Sequence, residues 1–129
     1  MIVQMVALNR VQQMLFALLG QMMSEATLLK YMMPLYVALE QWENESMAWM
    51  FLQSVVNTDE TSLKVNKKNQ WIPVCSSGDV TLKFLHPKRG KEAIVDIGFI
   101  PKYGGTIIHD CWASYLSYNH CEHGLCGSH

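Results

Sequence analysis

Several features that define other classes of protein are missing from this sequence. No apolar run reaches the roughly 18–20 residues that a membrane-spanning helix needs. The first ten residues, MIVQMVALNR, contain no early Lys or Arg and therefore do not fit a cleaved signal peptide. Charged residues make up 16% and hydrophobic residues 50% of the 129 positions, which argues against both disorder and a coiled coil. We expect a folded cytoplasmic protein that does not associate with a membrane.

Net charge and cysteine are also scarce. The formal net charge is −1, so any contact with nucleic acid has to come from a local basic patch and not from overall basicity. There are four cysteines and no secretion signal, which favours reduced thiols over a disulfide framework. Internal repeats and low-complexity tracts are absent from the sequence.

The composition changes near Asn57. All nine Met lie within residues 1–50, whereas seven of the eight Gly lie from Gly78 onward. This shift predicts a Met-rich helical segment at residues 1–56 and a second domain at residues 57–129. Residues 64–91 carry seven basic groups and one acidic group. Such a stretch suits contact with a phosphate backbone, and it equally suits a solvated hairpin whose lysines protect sheet edges.

The first segment has a helical pattern. Apolar residues recur at three- and four-residue steps over 2–19, which predicts a helix ending at Gly20. A second, short helix is predicted up to Pro34, followed by a third to about Gln53. The first two are helix-turn-helix-like. The second offers Lys30 as its one basic residue, so we favour packing or self-association over DNA reading.

After Gln53 the pattern changes to short β-rich runs. It predicts the order β-β-β-α-β-α-β, in which short turns join the first three strands and helices lead to the later ones. In sequence order, these segments are SVVNTDETSLKV, QWIPVCS, VTLKFLH, KEAIVDIGFI, TIIHD, CWASYLSY and CEHGLC. We therefore expect an α/β (α+β) fold with a mixed sheet of antiparallel and parallel strands.

Two carboxylates stand at strand positions in this second segment. Asp59 lies in the first predicted strand and Asp110 ends the strand TIIHD. If these two strands are neighbours, the carboxylates converge and can hold Mg²⁺, which takes one or two carboxylates plus phosphate oxygens. Bound metals of this kind support phosphoryl transfer. Two alternatives remain at this point: Asp110 as the N-cap of the next helix, and Asp59 as a turn residue.

Four motifs follow one another in the order NTDETSLKVN, FLHPKRGKEAI, TIIHDCWASYLSY and HCEHGLCGSH. Together they resemble the central region of insertion-sequence-66-type transposases, from about Thr58 to His129. The resemblance implies a ribonuclease-H-like fold and DDE-type transposition, in which DNA is nicked and joined with the help of Mg²⁺ or Mn²⁺. It also implies that Asp59 and Asp110 are the first two catalytic acids and the metal ligands.

The same resemblance identifies a basic segment at Lys88, Arg89 and Lys91, and we expect these residues to contact DNA phosphates. The family's third acid is a Glu that follows further helices, and this sequence stops before that region. Glu122 comes too early in the fold order, and Glu60 should face away from Asp59. We therefore expect a truncated transposase of marginal stability that is inactive alone.

Two other functions remain open. One is a non-catalytic DNA-binding or transposase-assembly module. Such a module would bind DNA and would associate either with a second copy of itself or with intact transposase. The other is a small zinc protein, because Cys121, His123, Cys126 and His129 are all good zinc ligands. Their spacing is compressed, and on a regular strand Cys126 points away from the other three. We therefore favour core packing for this cluster and do not expect zinc as a cofactor.

Overall fold

The computed structural model describes residues 6–127. Over this range no helix is both long enough and apolar enough to cross a bilayer. The helices and strands follow in the order α1 (Leu8–Leu19), α2 (Glu25–Phe51), β1 (Val55–Val65), β2 (Lys68–Ser77), β3 (Val80–Lys83), α3 (Lys91–Ile97), β4 (Thr106–His109), α4 (Ala113–Leu116) and β5 (Glu122–Leu125), with a short 3-10 helix (Ile100–Lys102) after α3.

The chain divides into two compact units, one ending at Trp42 and one beginning at Glu43. The unit that contains the sheet therefore starts upstream of residue 57, where the composition changes. The reason is that Met47, Met50 and Phe51, in the last turns of α2, pack in the core of the sheet. The division of the chain by function, at residues 56 and 57, stays a prediction.

Helix α1 ends as the sequence predicts. Gly20 adopts a left-handed φ of 68°, and its N–H donates to the carbonyl of Phe16. Residues 2–5 of the expected helix lie outside the described residues. Within the first unit, Val11 and Leu28 are buried. Many other large apolar side chains of this unit are exposed: Met14, Phe16, Leu18, Leu19, Met22, Leu29, Tyr31, Met33, Leu35, Tyr36, Val37, Leu39 and Trp42.

The helix break expected at Pro34 is wrong. Helix α2 is a single helix of 27 residues with Pro34 in its interior. Proline removes one backbone hydrogen bond, at a cost of about 3 kcal/mol. The residues on both sides are mostly Ala, Leu, Met and Glu, whose high helix propensity carries the helix through the defect. At the start of the helix, the Ser24 hydroxyl accepts the N–H of Thr27 at 3.1 Å, which is an N-cap bond.

The sheet has five strands in the order β3-β2-β1-β4-β5 over the described residues. β1 pairs antiparallel with β2, and β2 pairs antiparallel with β3. β4 is parallel to both β1 and β5. Helix α3 leads into β4 and α4 leads into β5, so the predicted order of elements and the mixed α/β sheet are confirmed. This is the arrangement expected of a ribonuclease-H-like sheet.

The core lies on one face of this sheet. Val56, Cys75 and Ile107 contribute from three adjacent strands, and the segment from α3 to α4 supplies the opposing layer. The largest buried residues of that layer are Phe99, Tyr103 and Tyr115. Burial raises the pKa of the Cys75 thiol to about 12 and also raises the pKa of the Tyr115 hydroxyl, so both stay protonated in this apolar layer.

A charged brace completes the core face. The Glu60 side chain is only 2% exposed, and Nε of Arg89 donates to its Oε2 at 3.1 Å. The guanidinium carbon lies 4.9 Å from the ring centre of Trp71 and 4.0 Å from that of Trp112. Tyr115 donates its hydroxyl to Oε1 of Glu60 at 3.4 Å. Stacking and a charge-assisted bond thus compensate the desolvation of the carboxylate and join four segments of the chain.

We expect Arg89→Ala to destabilise the fold by about 2–4 kcal/mol, because it leaves the buried Glu60 carboxylate without a charged partner. Urea denaturation measures the change. Lys88→Ala is the matched control, since its ion pair with Glu92 is exposed on both sides and screened by solvent, so we expect little change in stability. We expect the double variant Arg89→Met and Glu60→Gln to recover part of the stability that is lost in Arg89→Ala. Equal effects of the two alanine variants would contradict the brace.

His86 makes the stability depend on pH. Its backbone exchanges two hydrogen bonds with Trp71, at 2.8 and 2.9 Å. The carbonyl of Lys88, 2.9 Å from ring Nδ1, and the carboxylate of Asp96, 3.1 Å from Nε2, raise the pKa of His86. The folded state therefore favours the protonated ring, and this stabilisation is fully present below about pH 6.5. It is lost as the pH rises through the raised value.

Thermal unfolding between pH 5 and pH 8 tests this dependence. We expect the melting temperature to fall across this range in the wild type and to fall less in His86→Gln and in Asp96→Asn. An unchanged slope in both variants would assign the pH dependence to other groups.

Candidate functional site

The parallel register of β1 and β4 brings the two predicted acids together. Every residue in this ladder pairs with the residue 51 positions later, for example Asn57 with Ile108. Asp59 and Asp110 are separated by the same 51 positions. The ladder ends at the pair of Asn57 with Ile108, and both acids lie two residues beyond it: Asp110 directly follows β4, while Asp59 is still within β1. Two residues far apart in sequence therefore lie at neighbouring positions.

Both acids line one depression of about 140 Å³. Along β1, Val56 and Thr58 are buried while Asn57 and Asp59 are exposed, so the depression opens on the sheet face opposite the core. Its lining consists of Asn57, Thr58, Asp59, Val74, Ser76, Ile108, Asp110 and Cys126. The alternation of side chains along β1 is enough to predict that Asn57 lies on the same face as Asp59. Ser76 and Cys126 reach the depression only through strand pairing, and sequence reasoning did not find them.

Neither alternative for the acids is found. The N-cap of α4 is Trp112 and not Asp110. The turn between β1 and β2 lies at Asn66 and Lys67, well past Asp59. Oδ1 of Asp59 accepts the N–H of Glu60 at 2.7 Å, which fixes one oxygen of the carboxylate.

The segment after Asp110 bends sharply. Cys111 has a left-handed φ of 41°, which is uncommon for a residue with a side chain. The chain then reaches Trp112, whose ring stacks on Arg89. Arg89 also bonds Glu60, the neighbour of Asp59. One arginine on the core side therefore contacts both of the segments that carry the acids.

The three predicted DNA-contacting residues lie at the start of α3 and just before it. Arg89 is engaged in the brace, and its side chain is 40% exposed. Nζ of Lys88 lies 2.6 Å from a carboxylate oxygen of Glu92 on the protein surface. Lys91, the first residue of α3, is exposed. The brace itself could not be read from the sequence, because its partners come from four separate segments.

The other acids considered from the sequence lie elsewhere. Glu60 faces the core, as strand parity predicts. Glu122 accepts the hydroxyl of Thr106 at 3.0 Å, at the start of β4 and thus at the opposite end of that strand from Asp110. Among residues 6–127, Asp59 and Asp110 are the only acids that line the depression.

The terminal Cys/His residues take separate places. Cys121 is buried in the core, and Cys126 lines the depression on the other face. His123 bonds the ring of His109 at 2.9 Å. His129 lies outside the described residues. In the part of the chain that is described, no three His, Cys, Asp or Glu side chains form a group that could hold a metal ion. All four cysteines are thiols.

Comparisons with known proteins identify the family of this chain. A sequence model described as "Transposase IS66 family" matches residues 2–129. No curated protein matches the chain. Among solved structures, two HTLV-2 integrase catalytic core domains in complex with magnesium are 15% and 14% identical to it, with TM-scores of 0.44 and 0.43.

Each of these integrase comparisons covers 57% or 55% of this chain and 59% of the integrase chain. A simian T-cell lymphotropic virus intasome in complex with PP2A regulatory subunit B56 gamma is 15% identical, with a TM-score of 0.43, covering 56% of this chain and 31% of the other. This chain thus spans less than two thirds of these proteins. The match over residues 2–129 shows that the chain belongs to the IS66 family of transposases.

Proposed function

We propose that this chain carries the metal-binding part of a DDE-type DNA transposase, with Asp59 and Asp110 as two of its catalytic acids. The observation that supports the proposal best is their common depression at neighbouring positions of β1 and β4. A phosphate group that enters this depression of about 140 Å³ would lie beside both acids. DNA strand nicking and joining is the reaction that such a site would serve.

The donor set at this site fits Mg²⁺ or Mn²⁺. Both acids offer hard oxygen ligands, and Mg²⁺ is usually held by one or two carboxylates together with water and substrate phosphates. Asn57 and Ser76 add neutral polar groups to the lining. When bound, the metal supplies charge that activates an attacking oxygen and stabilises a leaving oxygen.

The protein's own residues would orient this site. The N–H of Glu60 holds one oxygen of Asp59, and the other oxygen remains for a ligand. From the opposite face, Arg89 contacts Glu60 and Trp112 and so limits the motion of the two acid-bearing segments relative to each other. Residues 6–127 bring two acids to the depression, so we expect weak metal binding and no strand transfer by these residues alone.

Contact with DNA phosphates is proposed for Lys88 and Lys91, which are exposed next to the brace. The ion pair of Lys88 with Glu92 is solvent-exposed and therefore easily exchanged for a phosphate. For Arg89 we propose a mixed role, because most of its contacts are with protein groups while part of its side chain remains exposed.

A Mn²⁺ titration followed by electron paramagnetic resonance tests the metal site. We expect weak binding to the wild type and at least about tenfold weaker binding in Asp59→Asn and in Asp110→Asn, since each removes one charged ligand. Asp79→Asn is the matched control, because Asp79 lies in the turn between β2 and β3. Retained binding in both site variants would refute the proposal.

The exposed apolar side chains of the first unit favour a second role, self-association or assembly with intact transposase. An unpartnered helix surface of this kind is typical of an interaction site. We expect sedimentation equilibrium to detect oligomers at micromolar concentration, and Leu29→Glu combined with Leu35→Glu to weaken them. A monomer at all concentrations would exclude assembly through these helices.

A further inference from the structure

The ends of β1 and β2 form an arm that extends past the rest of the sheet. β4 pairs with β1 only as far as Asn57, and β3 pairs with β2 from Val74 onward. Residues 84–86 continue beside β2 as far as Trp71, through the bond from the Phe84 N–H to the Pro73 carbonyl and the bridge between Trp71 and His86. Beyond Trp71 the two strands pair only with each other over the described residues, and we call residues 61–70 the hairpin arm. A two-stranded ribbon of this kind has the width to enter the major groove of DNA.

The charge of the hairpin arm has one sign. It carries Lys64, Lys67 and Lys68 and no Asp or Glu. All three lysines are exposed, and residues 61–69 are exposed on both faces of the ribbon. The arm therefore holds three cations at its tip without an acidic residue of its own to neutralise them.

The turn supplies a second, independent observation. Asn66 and Lys67 have φ values of 49° and 64°, so both central residues of this two-residue turn are left-handed. Such a turn favours Asn-Gly, because a left-handed residue other than Gly or Asn is strained by about 1–2 kcal/mol. Lysine thus occupies the position where glycine would be more stable. The strained residue places a positive charge at the outermost point of the arm.

The arm also has a fixed relation to the acids. Asp59 and Val65 lie on the same face of β1, and Lys68 pairs with Val65 across the ribbon. Asn66 lies seven positions after Asp59, which is about 23 Å along an extended strand. Phosphates on one DNA strand follow at about 3.4 Å along the helix axis. A duplex whose axis runs along the arm would therefore present at the tip the phosphates about seven nucleotides from one held at the acids.

We propose that the hairpin arm binds the phosphate backbone of duplex DNA about seven nucleotides from the reacting phosphate, through Lys67 and Lys68, while Lys64, on the other face of the ribbon, adds to the positive charge of the arm. The inference rests on the proposed function for its choice of DNA as the polymer. It adds a contact distant from the acids, which would set the direction in which the duplex leaves the site.

Salt-dependent binding of the 129-residue chain to a 30-base-pair duplex tests the arm. The test variant combines Lys64→Ala, Lys67→Ala and Lys68→Ala, and the control combines Lys30→Ala, Lys83→Ala and Lys102→Ala, which removes the same charge from exposed lysines outside the arm. The logarithm of the binding constant falls linearly with the logarithm of the salt concentration, and we call the magnitude of this slope the salt slope. Each lost phosphate contact lowers it by about 0.9. We expect the slope to fall by about 2–3 and the affinity at low salt by at least about tenfold in the arm variant only.

Lys67→Gly separates binding from folding. We expect a higher melting temperature, because glycine relieves the strain at φ 64°, together with a salt slope lower by about 1. A loss of binding in a more stable protein cannot come from misfolding. Equal salt slopes in wild type, arm variant and control would overturn the inference, as would lower stability with unchanged binding in Lys67→Gly.

Failure of the arm and failure of the metal site give different results. Mn²⁺ binding that depends on Asp59, with DNA binding unaffected by the arm variant, refutes the arm alone. DNA binding that depends on the arm, with no Mn²⁺ bound, refutes the metal site alone. A wild type that binds no duplex DNA refutes the arm and the DNA-processing role together.

Discussion

The candidate site depends on the parallel pairing of β1 with β4. A parallel ladder needs a crossover connection, and here β2, β3 and α3 provide it. This register of 51 positions brings Asp59 and Asp110 to one depression, two residues past the last paired positions, and a slip of one residue would turn Asp110 to the core face. The alternation of buried and exposed residues in both strands holds that register, because Val56 and Ile107 have to remain in the core.

The two faces of the sheet differ in what they contain. The core face combines apolar packing with the Arg89–Glu60 pair, which is buried at its acidic end and stacked between two tryptophans. The opposite face carries the depression and the acids. Glu60 and Asp59 are adjacent in the chain, yet they belong to different faces because side chains alternate along a strand. A single peptide bond therefore joins a residue that stabilises the core to a residue of the candidate site.

Much of this arrangement could be predicted from the sequence. Alternation and turn residues predicted all five strands, and Gly20 marked the end of the first helix. Pro34 misled the helix prediction, because local rules do not count the favourable residues on both sides of one defect. The brace and the contribution of Cys126 to the depression depend on strand pairing, which no local pattern contains. The roles of the acids and the lysines stay predictions.

The left-handed conformation of Cys111 has an energetic cost immediately after Asp110. A residue with a side chain in this conformation is strained by about 1–2 kcal/mol, and glycine would not be. Glycine would also loosen the backbone immediately after Asp110. Cysteine at this position keeps the backbone after Asp110 stiff at the cost of this strain. Glycine would remove the strain and make the same backbone more flexible.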